Sequence, residues 1–218
     1  MLERVWSWDI TYRKASVRGV FYYLYLVVDV FSRKIVGWEM HEDERADLSA
    51  TLIEEECLAE DANPNQLVLH ADNGRPMKGS TMLATLYRLG VAASFSRPNV
   101  SDDNPYSEAL FRTLKYHPSY PRAPFASLRD ARAWVTSFVR WYNSRHPHSG
   151  IRYVTPESRH RGEDAAVLAR RHAVYLAARR LNPARWTGST RNWTPIQRVS
   201  LNPAVRKLRA PKTPRLQP

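Results

Sequence analysis

Three acidic residues in separate segments of the chain could carry out chemistry together. Asp9 lies inside an apolar segment, Asp72 follows the apolar run at residues 66–71, and Glu108 lies three residues after Pro105. Converging carboxylates repel one another unless cations lie between them. Oxygen ligands favour Mg²⁺ or Mn²⁺ over Zn²⁺, and a pair of such ions suits phosphoryl transfer. Together, the three acids indicate a metal-dependent phosphoryl-transfer site.

Each acid taken alone also has a structural interpretation. An aspartate inside a strand is often a hydrogen-bonded structural residue, and Asp72-Asn73-Gly74 is an ordinary turn sequence. Glu108 lies near a helix N-terminus, where the helix dipole favours a negative charge. The hypothesis of a shared site therefore rests on the combination of the three.

Hydrophobic periodicity predicts a chain of alternating strands and helices. The predicted strands are residues 6–13, 19–31, 34–41, 66–71 and 91–95. The predicted helices are residues 46–61, residues 80–89, one opened by Asn104 as cap and Pro105, and a longer one that begins near Ser127. This order predicts an α/β fold: a mixed five-stranded sheet, flanked by helices, in which the first strand neighbours the fourth.

Length and composition indicate a globular chain. The 218 residues suffice for one domain of about 150 residues with an extension. No apolar run approaches the ~18 residues of a spanning helix, and the N-terminus does not resemble a signal peptide. Cys57 is the single cysteine, which excludes an intrachain disulfide and a cysteine-based zinc site. We expect Cys57 in the core and a reducing, cytoplasmic location.

The positive charge is concentrated at the C-terminal end. Residues 159–218 contain 14 of the 33 lysines and arginines but only 2 of the 21 acids, so the net charge of +12 lies there. Such asymmetry indicates a polyanion such as DNA, although a solvated basic tail is the alternative. Trp186 and Trp193, interleaved with Arg185 and Arg191, could stack on bases or pack against the core.

Several motifs, in order, resemble those of OrfB-type insertion-sequence transposases. Asp72 and Glu108 are separated by 35 residues, which resembles the DD(35)E signature that these transposases share with retroviral integrases. The further matching segments are residues 8–11 (WDIT), 29–38 (DVFSRKIVGW), 70–74 (HADNG), 101–115 (SDDNPYSEALFRTLK), 141–143 (WYN), 148–151 (HSGI) and 155–156 (TP).

The resemblance implies a ribonuclease-H-like integrase core over residues 1–158, followed by a basic C-terminal extension over residues 159–218. It implies that Asp9, Asp72 and Glu108 are the catalytic, metal-binding triad, with two Mg²⁺ ions for which Mn²⁺ could substitute. It also implies DNA contacts by Lys115, and we add Arg112, on the same helical face, and Asn73 as candidates. The expected activity is DNA nicking and strand transfer in transposition, by a homo-oligomer near the bacterial nucleoid.

The same residues leave two other functions open, a nuclease that cuts without joining and a DNA-binding remnant without turnover. Because the motifs begin within about ten residues of Met1, an upstream helix-turn-helix protein or a frameshift fusion is a candidate partner.

Other polar residues receive structural interpretations. We expect Asp29 to pair with Arg33 or cap a turn, and Asp102 and Asp103 to be solvated or cap-like. His146 and His148 could touch a metal, but such a pair is more often structural.

Overall fold

The computed structural model describes residues 4–97 and 103–201. Within these ranges the strands are β1 Arg4–Lys14, β2 Phe21–Asp29, β3 Ile35–His41, β4 Leu67–Ala71 and β5 Ala92–Phe95. The α-helices are α1 Ala46–Ala59, α2 Ser80–Leu89, α3 Pro105–Lys115, α4 Leu128–Ser144, α5 Pro156–His160 and α6 Asp164–Leu181. Asp102 and residues 202–218 of the basic C-terminal end lie outside the described residues.

β1 lies at the centre of a mixed sheet with the strand order β3-β2-β1-β4-β5. It pairs antiparallel with β2 and parallel with β4, and β4 pairs parallel with β5. The predicted five-stranded mixed sheet and the pairing of the first strand with the fourth are therefore confirmed. Because side chains alternate along a strand, Trp6 and Trp8 occupy one face of the sheet, and Ser7 and Asp9 occupy the other.

Helices cover both faces of the sheet. The core on the Trp6 and Trp8 face is completed by α1 and α2, and it includes Cys57 as expected. The core on the opposite face is completed by α3 and α4, which contribute Leu110, Leu114 and an apolar stripe from α4. A fully buried large apolar side chain contributes about 1.5–3 kcal/mol. This packing places α3, which carries Glu108, on the Asp9 face of the sheet.

Local sequence signals explain where several helices begin and end. The α2 helix has the predicted bounds and ends at Gly90, whose φ of 78° is left-handed. The α4 helix begins after Ser127, whose side chain accepts a hydrogen bond from the Asp130 amide. The periodicity of α4 is also confirmed, since Val135 and Phe138 are buried. These local signals were therefore sufficient to predict α2 and the start of α4 from the sequence.

Asn104 occupies the predicted cap position before α3, but its side chain makes no capping hydrogen bond and contacts β1 instead. Two further helices were missed. α5 and α6 were not predicted, because α6 buries only Leu168 and has little apolar periodicity for the sequence to display. Among the described residues, no helix has both the length and the apolar content that crossing a bilayer requires.

Candidate active site

Asp9 and Asp72 are brought together by the parallel pairing of β1 with β4. The register joins Ser7 to His70, and the same offset carries Asp9 opposite Asp72, just beyond the end of β4. The Ile10 amide donates to Asp9 Oδ1 at 2.8 Å, and the Gly74 amide donates to Asp72 Oδ1 at 2.8 Å. Each of these bonds engages one carboxylate oxygen, which leaves the other oxygen of each residue available to a ligand.

Glu108 is positioned because polar side chains attach the first turn of α3 to β1. The Ser7 hydroxyl contacts the Ser107 hydroxyl at 2.8 Å and donates to Asn104 Oδ1. The Asn104 amide donates to the Trp8 carbonyl at 3.3 Å. Ser7, Asn104 and Ser107 are buried, so these bonds form away from water and fix the helix next to the residue pair Trp8 and Asp9.

His70 attaches the same helix end to β4. Its Nε2 lies 3.0 Å from the Asp103 carbonyl and therefore donates, and its Nδ1 lies 3.0 Å from the Ser94 hydroxyl and accepts. Burial lowers the pKa of His70, which favours this neutral form. Ser7, His70 and Ser107 were not predicted as site residues from the sequence. They could have been found as polar residues at positions that face the core.

Asp103 differs from its expected solvated or cap-like role. Its side chain is only 2% exposed and accepts hydrogen bonds from the Arg97 backbone amide and guanidinium at 2.7–2.9 Å. These bonds to Arg97 lower the pKa of Asp103 to about 2. The ion pair links Arg97, just after β5, to Asp103, just before α3. It could not be predicted from the sequence, because Arg97 and Asp103 belong to no regular pattern.

The pKa of Asp9 is raised in part by the other two acids of the predicted triad. Its pKa is raised to about 7, chiefly by burial and next by the negative charge of Asp72. The Ile10 hydrogen bond opposes the rise, while Glu108 and then Glu44 add to it. The three predicted carboxylates therefore lie close enough for their charges to interact, and ionising Asp9 beside them is unfavourable without a compensating cation.

The residues fit divalent metal chemistry in type, although they do not form a closed ligand set. No three His, Cys, Asp or Glu side chains in residues 4–97 and 103–201 are arranged closely enough to hold a metal ion as they stand. The donors of Asp9, Asp72 and Glu108 are all oxygens, which suits Mg²⁺ or Mn²⁺. Their oxygens would have to move closer together to bind one ion.

The candidate DNA contacts lie in two segments, the α3 helix and the turn after β4. Arg112 and Lys115 are exposed on α3, and both line a cleft beside β1. Asn73 is exposed next to Asp72, but its side-chain amide donates to the Ser96 carbonyl at 2.7 Å. Arg112 and Lys115 are therefore free to meet a ligand, whereas Asn73 already has one partner.

The remaining polar candidates have structural roles. Asp29 caps the turn after β2 through Ser32, as expected, but its ion pair is with Arg4 and not with Arg33. His148 Nδ1 accepts from the Gly150 amide, and burial lowers the pKa of His148 to about 4. Trp193 is 7% exposed and packs against α6, which decides between its two alternatives in favour of packing.

The mixed sheet with helices on both faces and acidic residues at the junction of β1, β4 and α3 defines a ribonuclease-H-like catalytic core. Two family models described as "Integrase core domain" match residues 3–101 and 89–156. Together the two matches span residues 3–156, and the chain belongs to this integrase core family.

Curated relatives support this assignment. The transposase of insertion sequence element IS904 from Lactococcus lactis is 32% identical over 156 residues, which are 71% of this chain and 60% of that protein. Transposase InsF of insertion sequence IS3A from Escherichia coli is 28% identical over 153 residues, 70% of this chain and 52% of that protein. The chain thus spans between half and two thirds of the length of these relatives.

Solved structures share the fold at low sequence identity. The simian T-cell lymphotropic virus intasome has a TM-score of 0.59 at 16% identity, over 73% of this chain and 55% of that chain. The HTLV-2 integrase catalytic core, solved with magnesium in a dimeric form, has a TM-score of 0.53 at 14% identity. The match covers 73% of this chain and 97% of that chain. The Mos1 transposase catalytic domain, solved with Mg and raltegravir, has a TM-score of 0.52 at 16% identity. The match covers 64% of this chain and 72% of that chain.

Proposed function

We propose that this chain provides the catalytic core for DNA transposition: metal-dependent nicking at element ends, followed by strand transfer. In the first step water attacks a phosphodiester and leaves a 3′-hydroxyl. In the second step that hydroxyl attacks a phosphodiester of the target, which joins the two DNAs and releases a new 3′-hydroxyl from the target. The observation that carries the proposal is the pairing of β1 with β4, which carries Asp9 opposite Asp72 on the face of the sheet where Ser107 of α3 contacts Ser7.

Asp9, Asp72 and Glu108 would hold Mg²⁺, and Mn²⁺ could replace it. Two such ions, when bound, polarise the phosphate and stabilise the attacking and leaving oxygens. The protein contributes by holding the three carboxylates on rigid elements, with β1 and β4 fixing two of them and the buried hydroxyls of Ser7 and Ser107 fixing the third. The HTLV-2 integrase core and the Mos1 transposase domain were both solved with magnesium, which supports this choice of metal for a related fold.

The wider organisation is part of the same proposal. Residues 1–158 would be the catalytic core, and residues 159–218 a basic extension that binds DNA backbone without sequence preference. Two element ends must be held together during transfer, so we propose a homo-oligomer, active in the bacterial cytoplasm near the nucleoid. An upstream helix-turn-helix protein, or a frameshift fusion to one, would recognise the ends.

Asp72→Asn tests the catalytic assignment. The substitution keeps the shape of the side chain and its hydrogen bond from Gly74, but it removes a charged metal ligand. We expect Mg²⁺-dependent nicking of labelled duplex oligonucleotides to fall by at least about a hundredfold, while the circular dichroism spectrum and DNA affinity change little. The matched control is Asp43→Asn, an exposed aspartate before α1, which should nick DNA like the wild type.

Two alternatives predict different products. A nuclease without strand transfer would release 3′-hydroxyl ends but never join them to a second duplex, which gel analysis of a labelled mixture detects. A DNA-binding remnant would bind DNA with salt sensitivity and show no Mg²⁺-dependent nicking. Wild-type nicking by Asp72→Asn would remove that residue from the triad and with it the basis of this proposal.

A further inference from the structure

A cleft of about 570 Å³ lies between the end of β1 and the end of α3. It is lined by Thr11, Tyr12, Arg13, Phe111, Arg112, Lys115 and Tyr116. At the opposite end of the same two elements, the hydroxyls of Ser7 and Ser107 are in contact. β1 and α3 therefore run side by side in the same direction, from the carboxylates to this cleft.

The side chains change from acidic to basic along both elements. On β1, Asp9, Thr11 and Arg13 follow one another on one face, because alternate residues of a strand point the same way. On α3, Glu108, Arg112 and Lys115 lie at helical spacing on one face. Two rows of side chains thus begin at acids and end at cations, and the cleft lies between their basic ends.

Arg13 is a half-buried cation without an acidic partner among the described residues. Its guanidinium lies 5.5 Å from the centre of the Tyr120 ring and donates to the Tyr12 carbonyl, while its Nε is buried without a hydrogen-bond partner. Burial is the main cause that lowers the pKa of Arg13. In the part of the chain that the structure describes, no acidic side chain forms an ion pair with Arg13, Arg112 or Lys115.

An unpaired, partly desolvated guanidinium in a cleft with a lysine is suited to an anion, and most of all to the planar, multiple acceptors of a phosphate. The cleft also includes Tyr116, whose side chain is 73% exposed at its rim. A basic cleft with an aromatic rim fits a nucleic-acid backbone better than a small free anion.

The spacing fixes which phosphate would occupy the cleft. Four residues of strand separate Asp9 from Arg13, about 13 Å, and seven residues of helix separate Glu108 from Lys115, about 10 Å. Successive phosphates of one strand lie roughly 6–7 Å apart, because the backbone winds around the duplex while it advances about 3.4 Å per nucleotide along the axis. The cleft therefore lies roughly two nucleotides from a phosphate held at the carboxylates.

We propose that Arg13 and Lys115 clamp a backbone phosphate of the strand being cut, roughly two nucleotides from the scissile phosphate. The clamp rests on the proposed function for the identity of the scissile phosphate, but its binding of DNA backbone can be measured without catalysis. Arg13 is then a positioning residue: it contacts the substrate away from the reacting atoms and sets where the strand is cut.

Arg13→Met tests the binding half of the proposal, since methionine keeps an apolar stem against Tyr120. The probe is a fluorescein-labelled duplex of about 20 base pairs, titrated by anisotropy in Mg²⁺-free buffer at several salt concentrations. Loss of one phosphate contact should reduce the salt slope by about one and the affinity about threefold near 0.1 M salt. Arg13→Lys should recover most of the slope, which a purely structural role would not require.

Arg88→Met is the matched control, because Arg88 is an exposed arginine on α2, on the opposite face of the sheet. Its salt slope should equal that of the wild type. An unchanged slope for Arg13→Met, or an equal fall for Arg88→Met, overturns the clamp. Thermal unfolding of each variant shows whether a change in affinity reflects misfolding.

A tethered duplex tests the register. In Arg13→Cys the new thiol is exposed to the cleft while Cys57 is buried, so a duplex carrying one thiol-modified phosphate should couple selectively at position 13. On addition of Mg²⁺, the nick should fall about two nucleotides from the tether. A tether at Arg88→Cys should give no fixed nick position.

Failure of this inference and failure of the proposed function are distinguishable. Nicks at a distance unrelated to the tether, from a protein that nicks DNA normally, overturn the clamp and leave the function standing. If the wild type never nicks DNA, the proposed function fails, and the salt slopes alone decide whether Arg13 and Lys115 bind phosphate.

Discussion

Asp9 occupies an unfavourable position for a carboxylate. It lies inside the central strand, largely removed from water, and two further predicted triad members act on it with negative charge. A residue selected for stability alone would not be charged at this place. The energetic cost is understandable if a divalent cation compensates it, which is the physical content of the proposed metal site.

Asp9→Asn should stabilise the protein above pH 7. The folded pKa of about 7 exceeds the unfolded value of about 3.9, so wild-type stability falls as pH rises from about 4 to about 7 and stays low above that. The full shift corresponds to about 4 kcal/mol, and partial solvent access reduces the expected gain to about 1–3 kcal/mol at pH 8. Urea unfolding at pH 4 and pH 8 measures it.

Mg²⁺ provides a second readout of the same residue. At pH 8, millimolar Mg²⁺ should raise the Tm of the wild type more than that of Asp9→Asn, because a ligand that binds the native state stabilises it. Asp43→Asn should behave like the wild type in both measurements. A stability gain of Asp9→Asn over the wild type that is no larger at pH 8 than at pH 4 would contradict the like-charge environment.

The first turn of α3 is held to the sheet by polar contacts where most helices use apolar ones. Its apolar residues Leu110 and Leu114 pack further along the helix, while Ser107 and Asn104 bond to β1. His70 of β4 completes the attachment through the Asp103 carbonyl. Directional bonds fix orientation as well as distance, which a shared catalytic site requires of the helix that carries Glu108.

His70→Ala should therefore affect α3 more than β4. The substitution leaves the Asp103 carbonyl without its donor and opens a cavity, and we expect a loss of about 2–4 kcal/mol in the free energy of unfolding. Hydrogen exchange should quicken in the first turn of α3, and nicking should fall. Ser94→Ala removes only the partner at Nδ1 and should cost about 1 kcal/mol. Unchanged exchange in α3 would rule out this role.

At the scale of the whole molecule, residues beyond the core motifs pack back onto the sheet. Arg159 is 1% exposed: its Nε donates to the Phe31 carbonyl and its other nitrogen donates to the Ile196 carbonyl, both at 2.8 Å. His160 contacts Glu60 at 2.8 Å, and Tyr106 donates to the Ser200 carbonyl at 2.7 Å. The division of the chain at residue 158 stays a prediction, but the two parts share side-chain contacts.

Arg159→Ala should lower the stability of the entire fold. Arg159 stacks over the Phe31 ring at 4.1 Å and pairs with Asp164 at 3.5 Å, so its removal leaves several buried groups without partners. We expect a loss of about 2–4 kcal/mol in urea unfolding, as a single transition. The neighbouring Arg161→Ala removes only an exposed pair with Glu157 and should cost less than about 0.5 kcal/mol. Equal effects of the two variants would show that the extension does not support the core.

The sequence by itself predicted the order of the five strands and the first four helices and the mixed sheet. It also nominated the three acids, whose catalytic role stays a prediction. Hydrophobic periodicity is a local property, and strong caps such as Ser127 and Gly90 act within one turn, so both can be read without coordinates. The spacing between Asp72 and Glu108 added the family resemblance. Weakly periodic α6 escaped this reading because few of its residues face a core.

Only the tertiary structure decided how those elements are joined. The bonds of Ser7 to Ser107, of His70 to Asp103 and of Arg159 to Phe31 each connect residues separated by 33 or more positions. No local pattern encodes such pairs, because the choice of partner depends on which elements pack side by side. The basic cleft at Arg13 and Lys115 likewise exists only where β1 and α3 lie together.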